Sequence, residues 1–299
     1  MMIENFERAK SRLSNIQAIE PLLSALRTLS MGAWQMAIKK IAQLEQFEAY
    51  YNRILAEILP ELEFSSTRKK DEHFQKILVS DTIYFLIGTE RGLCGKFNQV
   101  LVEKSLALIE EQNVSSYQIW AMGSRLIREL ERRGIDITLR NPLPASSHTS
   151  YKQTYLTTQN WLEQYETFAF NRIELFYHEI VKGGQYQFLN FQLLPFKTDH
   201  IKQSISDGEK MWPPPIIETN PRDIYHQIIQ HFIASNFHKI ILKSAASEHS
   251  ARYKLMQEAE ENADEIMEEL RRLINAERRR KITQDMQELA SGSGLLNSR

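Results

Sequence analysis

The sequence predicts an α/β protein in which a long helix at each end of the chain pairs with the other as an antiparallel coiled coil, beside a Rossmann-like α/β domain with a mainly parallel sheet. Three observations predict it. Apolar residues recur at alternating steps of three and four through the first 59 residues, the same pattern returns across 221–291, and short β-rich runs alternate with helical ones between 75 and 212. The expected organisation is therefore an N-terminal coiled-coil helix over 1–59, an α/β domain over 75–212 and a C-terminal coiled-coil helix over 221–291 that pairs with the first.

In the first helix the stripe is Ile16, Ile19, Leu23, Leu26, Ala33, Ala37, Leu44, Phe47, Tyr51, Ile54 and Ile58. Between Glu4 and Leu59 the only helix breakers are Pro21 and Gly32. Pro21 removes a backbone donor and crowds the carbonyl of Gln17, so a bend is expected near Glu20. Ser30, Ala33 and Ala37 narrow the seam, which lets two helix axes approach. Pro60 is expected to end the helix, and the polar run from Ser65 to Glu72 to form a surface loop.

The run Ile83–Ile87 closed by Gly88 has the composition of a buried strand leading into a loop. Helical spacing follows from Asn98 to Gln112, a second strand over Tyr117–Met122 ends at Gly123, and a second helix over Ser124–Arg133 is closed by Gly134 as a left-handed cap. A helix near Tyr151–Tyr165 precedes two strands, Asn171–Val181 and Gln185–Leu194, whose separation by Gly183-Gly184 is a hairpin signal. Met211-Trp212-Pro213-Pro214-Pro215 is incompatible with a helix and marks an extended connection. The last helix carries its own stripe, Met256, Ala259, Ala263, Ile266, Leu270, Leu273, Ile282, Met286 and Leu289, with acidic residues from Glu258 to Glu269 preceding the cations Arg271, Arg272, Arg278, Arg279, Arg280 and Lys281.

Composition excludes several classes. With 37 Lys+Arg against 38 Asp+Glu the net charge is -1, so the chain lacks the positive field of a dedicated nucleic-acid binder. A single cysteine, Cys94, forms no internal disulfide and fits a reducing compartment. The opening residues MMIENFERAKSRL do not form a secretory signal, and no window approaches the roughly 18 apolar residues of a membrane span. Work at a membrane would be peripheral.

The chemistry of catalysis is sparse. The loop containing Gly88, Arg91, Gly92, Cys94 and Gly95 lies between a strand and a helix, where glycine-rich loops cradle phosphates. Its spacing is not G-x-G-x-x-G, and Phe97 stands where a P-loop needs Ser or Thr, so a tight structural turn is the better reading. Cys94 reads better as a buried residue than as a nucleophile. His226, His231 and His238 are separated by five and seven residues, which does not bring two metal ligands together, and they read as surface or boundary residues. Glu248-His249 near Ser247 is not a preassembled triad. The Arg278–Lys281 cluster is either an electrostatic contact surface or a solvated helix face. No catalytic, cofactor or metal site is expected.

Two segments carry a resemblance to a known family. Gly88-Thr89-Glu90-Arg91-Gly92-Leu93-Cys94-Gly95-Lys96-Phe97-Asn98 is similar to the strand-end D-R-G-L-C-G-G-F-N segment of the gamma subunit of F-type ATP synthase. The run Ala246-Ser247-Glu248-His249-Ser250-Ala251-Arg252, followed by Asn262-Ala263, Asn275-Ala276-Glu277-Arg278 and Ile282 to Gly292, resembles the C-terminal helix of that family in order and spacing. The similarity spans essentially the whole chain. It implies a non-catalytic central rotor shaft whose paired helices enter a hexamer of alternating alpha and beta subunits, while the α/β domain sits beside the epsilon subunit and the membrane c-ring. Rotation would couple flow of an ion, proton or sodium, to the catalytic sites of the beta subunits, at the cytoplasmic face of a bacterial cell membrane.

Carried over residue by residue, the resemblance implies that Arg252 and Thr283 match the family arginine and threonine that contact the beta subunits. Arg279 falls where the family usually has glutamine, and with Arg278 and Arg280 it implies a charged contact with acidic loops. Pro21-Leu22-Leu23 and Leu29 to Trp34 depart from the family's lysine-rich stretch, and the neutral net charge departs from its usual basicity, which marks a divergent member of an alternative ion-translocating ATPase. The absence of the chloroplast relatives' cysteine-bearing insertion implies no thiol regulation. Two alternatives stay open on the residues alone: a coiled-coil adaptor unrelated to ATPases, and an α/β enzyme with helical appendages.

Overall fold

The computed structural model describes residues 2–65, 81–144, 149–167, 169–181, 184–196 and 217–292. The expected loop after Ser65, Gly183 of the hairpin turn, the proline-rich connection at 211–215 and the residues after Gly292 lie outside them. The elements, in chain order, are helix α1 (Met2–Ser65), β1 (Asp81–Ile87), α2 (Phe97–Gln112), β2 (Tyr117–Met122), α3 (Ser124–Arg132), β3 (Leu139–Arg140), α4 (Tyr151–Glu166), β4 (Phe170–Val181), β5 (Gln185–Leu194) and α5 (Pro221–Gly292). The chain divides into two compact units, Met31–Arg252 and Met1–Ser30 with Tyr253–Arg299.

In the unit Met31–Arg252 five strands form one sheet in the order β3-β2-β1-β4-β5. β1 is parallel to β2 and to β4, β2 is parallel to β3, and β5 closes the sheet antiparallel to β4. The two-residue β3 has no signature in the sequence, since its pairing spans only Trp120↔Leu139 and Ala121↔Arg140. Because β1 lies inside the sheet, its side chains are buried on both faces. Tyr84 and Leu86 pack under α2 and α3 with Leu101, Val102, Leu126 and Leu130. Ile83, Phe85 and Ile87 point the other way, into a cluster with Trp161 of α4 and Ile233, Phe237, Ile240 and Ile241 of α5. The sheet is thus covered by helices on both faces. Gly134, at φ 72, closes α3 as expected, its N–H reaching the carbonyl of Glu131.

α1 and α5 run antiparallel within this unit. Glu48 meets Ser235 and Lys239, Tyr51 stacks on His231 with ring centroids 5.7 Å apart, and Leu55 and Ile58 pack on Ile228 and Phe232. α1 passes through Pro60 to Ser65, beyond the end expected from sequence. Burial of Leu55 and Ile58 beside that proline holds the last turns, so tertiary packing outweighs the local penalty. Ala37 is fully buried, as a narrow seam requires.

In the second unit, Arg27 of α1 pairs with Glu260 of α5 at 2.8 Å, and Ala9, Met256, Ala263 and Met267 are buried. The stripe read from sequence is corrected in both long helices. Ile19 and Phe47 of α1 are exposed, as are Leu273, Ile282, Met286 and Leu289 of α5. The reason is phase: Met256, Ala263 and Met267, which are buried, and Leu270 and Ile274, which are half-buried, keep a heptad seam that continues at Glu277, Lys281, Gln284 and Glu288, leaving Leu273, Ile282, Met286 and Leu289 off it.

Candidate functional site

The loop after β1 occupies the position where an open α/β sheet usually takes its ligands. β1 is the strand from which the chain moves to β2 on one side and returns to β4 on the other, so its carboxyl end is a topological switch point. Gly88 and Gly123, which follow β1 and β2, are packed backbone to backbone. A Cβ on Gly123, at φ 113, would stand 2.8 Å from the Gly88 carbonyl, and one on Gly88 would stand 2.6 Å from Leu126 Cβ.

The loop is tied down by its own chain. Asn98 accepts from the Thr89 N–H at 3.0 Å and donates to the Thr89 hydroxyl at 2.8 Å. The carboxylate of Glu90 accepts from the backbone N–H and the hydroxyl of Ser124, so it caps α3 from outside the helix. Arg252 of α5 donates from Nε to the Gly92 carbonyl at 3.1 Å, from Nη1 to Nδ1 of His249 at 3.2 Å and from Nη2 to the carboxylate of Glu248. Both Arg252 and Glu248 are buried, and burial pushes the Glu248 carboxyl up from its ordinary value, with the Arg252 charge opposing that shift. The loop's polar contacts thus run to its own chain, through Asn98, Ser124 and Arg252.

Cys94 is buried against Phe97 and Ala251, with Sγ 3.7 Å from the Thr89 hydroxyl. Burial raises its pKa, which disfavours the thiolate a nucleophile needs. What the loop presents outward is Arg91, Gly95, Lys96 and Leu93, the last 60% exposed and held at φ 64, a left-handed conformation that costs a branched side chain energy.

α5 is fastened to the sheet by a row of serines. Ser244 donates to the carbonyl of Ile87 at 3.1 Å and Ser250 to that of Gly184 at 3.1 Å, while the one hydroxyl proton of Ser247 is shared between the carbonyl of His178 at 3.0 Å and that of Lys243, one turn back, at 2.9 Å. Ser247 drew notice in the sequence only beside Glu248-His249, and the three were not read as a row, although hydroxyls spaced three apart on one helix face were a usable signal. His178 was missed too. It is fully buried, its Nε2–H donates to the Phe97 carbonyl at 3.1 Å, and burial drives its pKa down to about 4.

The helical histidines need a correction. His226 is exposed, but His231 is half-buried and His238 is buried, its Nδ1 3.0 Å from the Thr154 hydroxyl and its pKa lowered by burial to about 4. Separation by seven residues puts both on one face of α5, where with Lys40, Phe47, Tyr51 and Tyr151 they line a cavity of about 460 Å³. Among the described residues no group of three or more His, Cys, Asp or Glu side chains is placed to hold a metal ion. No helix among them is long and apolar enough to cross a membrane.

The remaining candidates lie on distal α5, and all are exposed: Arg278, Arg279, Arg280, Lys281 and Thr283. Arg280 reaches Glu277 at 3.2 Å, and the Thr283 hydroxyl donates to the carbonyl of Arg279 at 3.0 Å. Arg252 does not share their setting.

A family model described as ATP synthase matches residues 5–296. The ATP synthase gamma chain of Cytophaga hutchinsonii is 23% identical over 304 residues, covering 98% of this chain and 99% of the relative. That of Fusobacterium nucleatum is 22% identical over 287 residues, covering 96% and 98%. Among solved structures, the rotor of the Euglena gracilis mitochondrial ATP synthase aligns with a TM-score of 0.59 at 15% identity, over 93% of this chain and 99% of that one. The central stalk and c-ring structure of the Tetrahymena thermophila mitochondrial enzyme aligns with a TM-score of 0.54 at 14% identity, over 80% and 99%.

Proposed function

Because this chain belongs to the ATP synthase gamma-chain family and is thereby a subunit of the enzyme's central stalk, we propose that it is the rotor shaft that couples ion flow through a membrane c-ring to conformational change at catalytic sites on beta subunits. The observation that carries this reading is the change along α5. The helix keeps its regularity to Gly292, but from Arg271 to Leu289 only Ile274 and Glu277 are even half-buried. Ile282, Met286 and Leu289 leave apolar surface uncovered beside the cations Arg278 to Lys281. Such a rod is suited to turning inside a ring: apolar surface slides where hydrogen bonds would lock, and charges make contacts at selected angles.

In this reading the partners are alpha and beta subunits around distal α5, with epsilon and the c-ring at the α/β unit, on the cytoplasmic face of the cell membrane. The chain itself carries out no catalysis. Arg278, Arg279, Arg280 and Thr283 meet the beta subunits directly. Membership of the family removes the adaptor unrelated to ATPases, and the burial of Cys94, which disfavours its thiolate, gives no support to an independent enzyme.

The test is reconstitution with its own alpha and beta subunits and membrane ring. The chain should co-purify with them at one copy per hexamer. Replacing Arg279 and Arg280 by Ala should lower the ions pumped per ATP hydrolysed, and undiminished pumping would remove the charged collar from the mechanism. Sodium dependence of hydrolysis in the same preparation identifies the coupling ion.

A further inference from the structure

Arg252 and the serine row share a geometry that the rotor reading does not use. Four side chains of one helix, Ser244, Ser247, Ser250 and Arg252, each reach a main-chain carbonyl of the α/β unit, those of Ile87, His178, Gly184 and Gly92. Their acceptors lie at the end of β1, within β4, at the hairpin turn before β5 and in the loop after β1. Apolar packing resists separation of a helix from a sheet but is weakly directional, so it yields to sliding and twisting. Hydrogen bonds to fixed carbonyls are directional and resist both.

We infer that Arg252 is a positioning residue that acts through Gly92: with the three serines it forms the joint by which a load on α5 is passed to the sheet and to the exposed tip of the β1 loop. The inference rests on the rotor reading for what the load does, and on geometry alone for the joint. Arg252 is suited to the outermost point. Its planar fork spans two acceptors on different elements at once, the Gly92 carbonyl on the loop and Glu248 one turn back on its own helix. Glu248 neutralises the buried guanidinium and fixes its direction. Lysine in its place would keep the charge opposite Glu248 but lose the second limb of the fork. The loop tip would then be released, leaving Leu93, Arg91 and Lys96 where their own backbone puts them.

Two measurements test this, on three variants: Arg252→Lys, Arg252→Met paired with Glu248→Gln so that no charge is left buried alone, and Ser247→Ala with Ser250→Ala. In the isolated full chain, hydrogen exchange of the loop's bonded amides, Thr89 on Asn98 and Phe97 on the Cys94 carbonyl, should speed up at least tenfold in both Arg252 variants, while those of β1 stay protected. In the complex reconstituted with alpha and beta subunits and the membrane ring, all three variants should retain ATP hydrolysis while ions pumped per ATP fall by half or more. A merely structural role would lower the amount of assembled complex without changing that ratio. Unchanged exchange at Thr89 and Phe97 overturns the staple, and faster exchange with an unchanged pumping ratio overturns its part in transmission. Failure of the unsubstituted chain to assemble with alpha and beta subunits overturns the rotor reading instead.

Discussion

The two halves of α5 are equally helical and differently held. From Ile228 to Arg252 the helix is buried against the sheet, α4 and α1, with serines reaching strand carbonyls and Phe237 set among Phe85 and Trp161. From Arg271 to Leu289 the same helix is exposed except at Ile274 and Glu277, with Leu273, Ile282, Met286 and Leu289 off the seam. Periodicity reports that a segment is helical and amphipathic. It does not report whether the apolar side is covered by the chain itself or left for another.

The largest effect that would sharpen this contrast is cavity formation in the buried half. Phe237→Ala removes a fully buried ring whose centroid lies 4.9 Å from that of Trp161, and should cost about 3–5 kcal/mol in urea unfolding of the isolated chain. A loss under 1 kcal/mol would mean that this half is not packed as described.

Acid should act on the same half. His178 and His238 are held near pKa 4 by burial, against about 6.5 in the unfolded chain. Between those values the unfolded chain binds protons that the folded chain refuses. The stability is therefore fully present above pH 6.5 and is lost as pH falls toward 4, by roughly 3 kcal/mol for each histidine. Replacing both with Gln should flatten the pH dependence of the urea midpoint across that window, and an equally steep profile would assign the loss to other groups.

Ser247→Ala should cost about 1 kcal/mol, read as faster amide exchange localised to the contact of α5 with β4. The smallest effect belongs to the distal half: Met286→Ala, at a side chain 66% exposed, should leave the isolated chain within about 0.5 kcal/mol of its original stability. A loss comparable to that at Phe237 would break the comparison outright.

Much of the fold was legible residue by residue. β2 begins and ends where its composition predicts, Gly134 caps α3, and the two ends of the chain form helices of 64 and 72 residues. These are short-range matters of backbone preference and periodicity. The site was less legible. The glycine loop was found by its composition, but nothing local to Arg252 indicates that its guanidinium meets a carbonyl 160 residues earlier. His238 likewise looked like its exposed neighbour His226 until the turn of α5 placed it against Thr154.

The order of amino acids by itself determined the helices, the strands and the turns, because hydrophobic period, glycine and proline act within a few residues. Only the tertiary structure decided which part of each apolar stripe is buried, which charges are spent on the chain's own carbonyls and which remain outward. Those outcomes depend on heptad phase and on groups far apart in sequence that meet only when the sheet and α5 are assembled, and desolvation then fixes their cost.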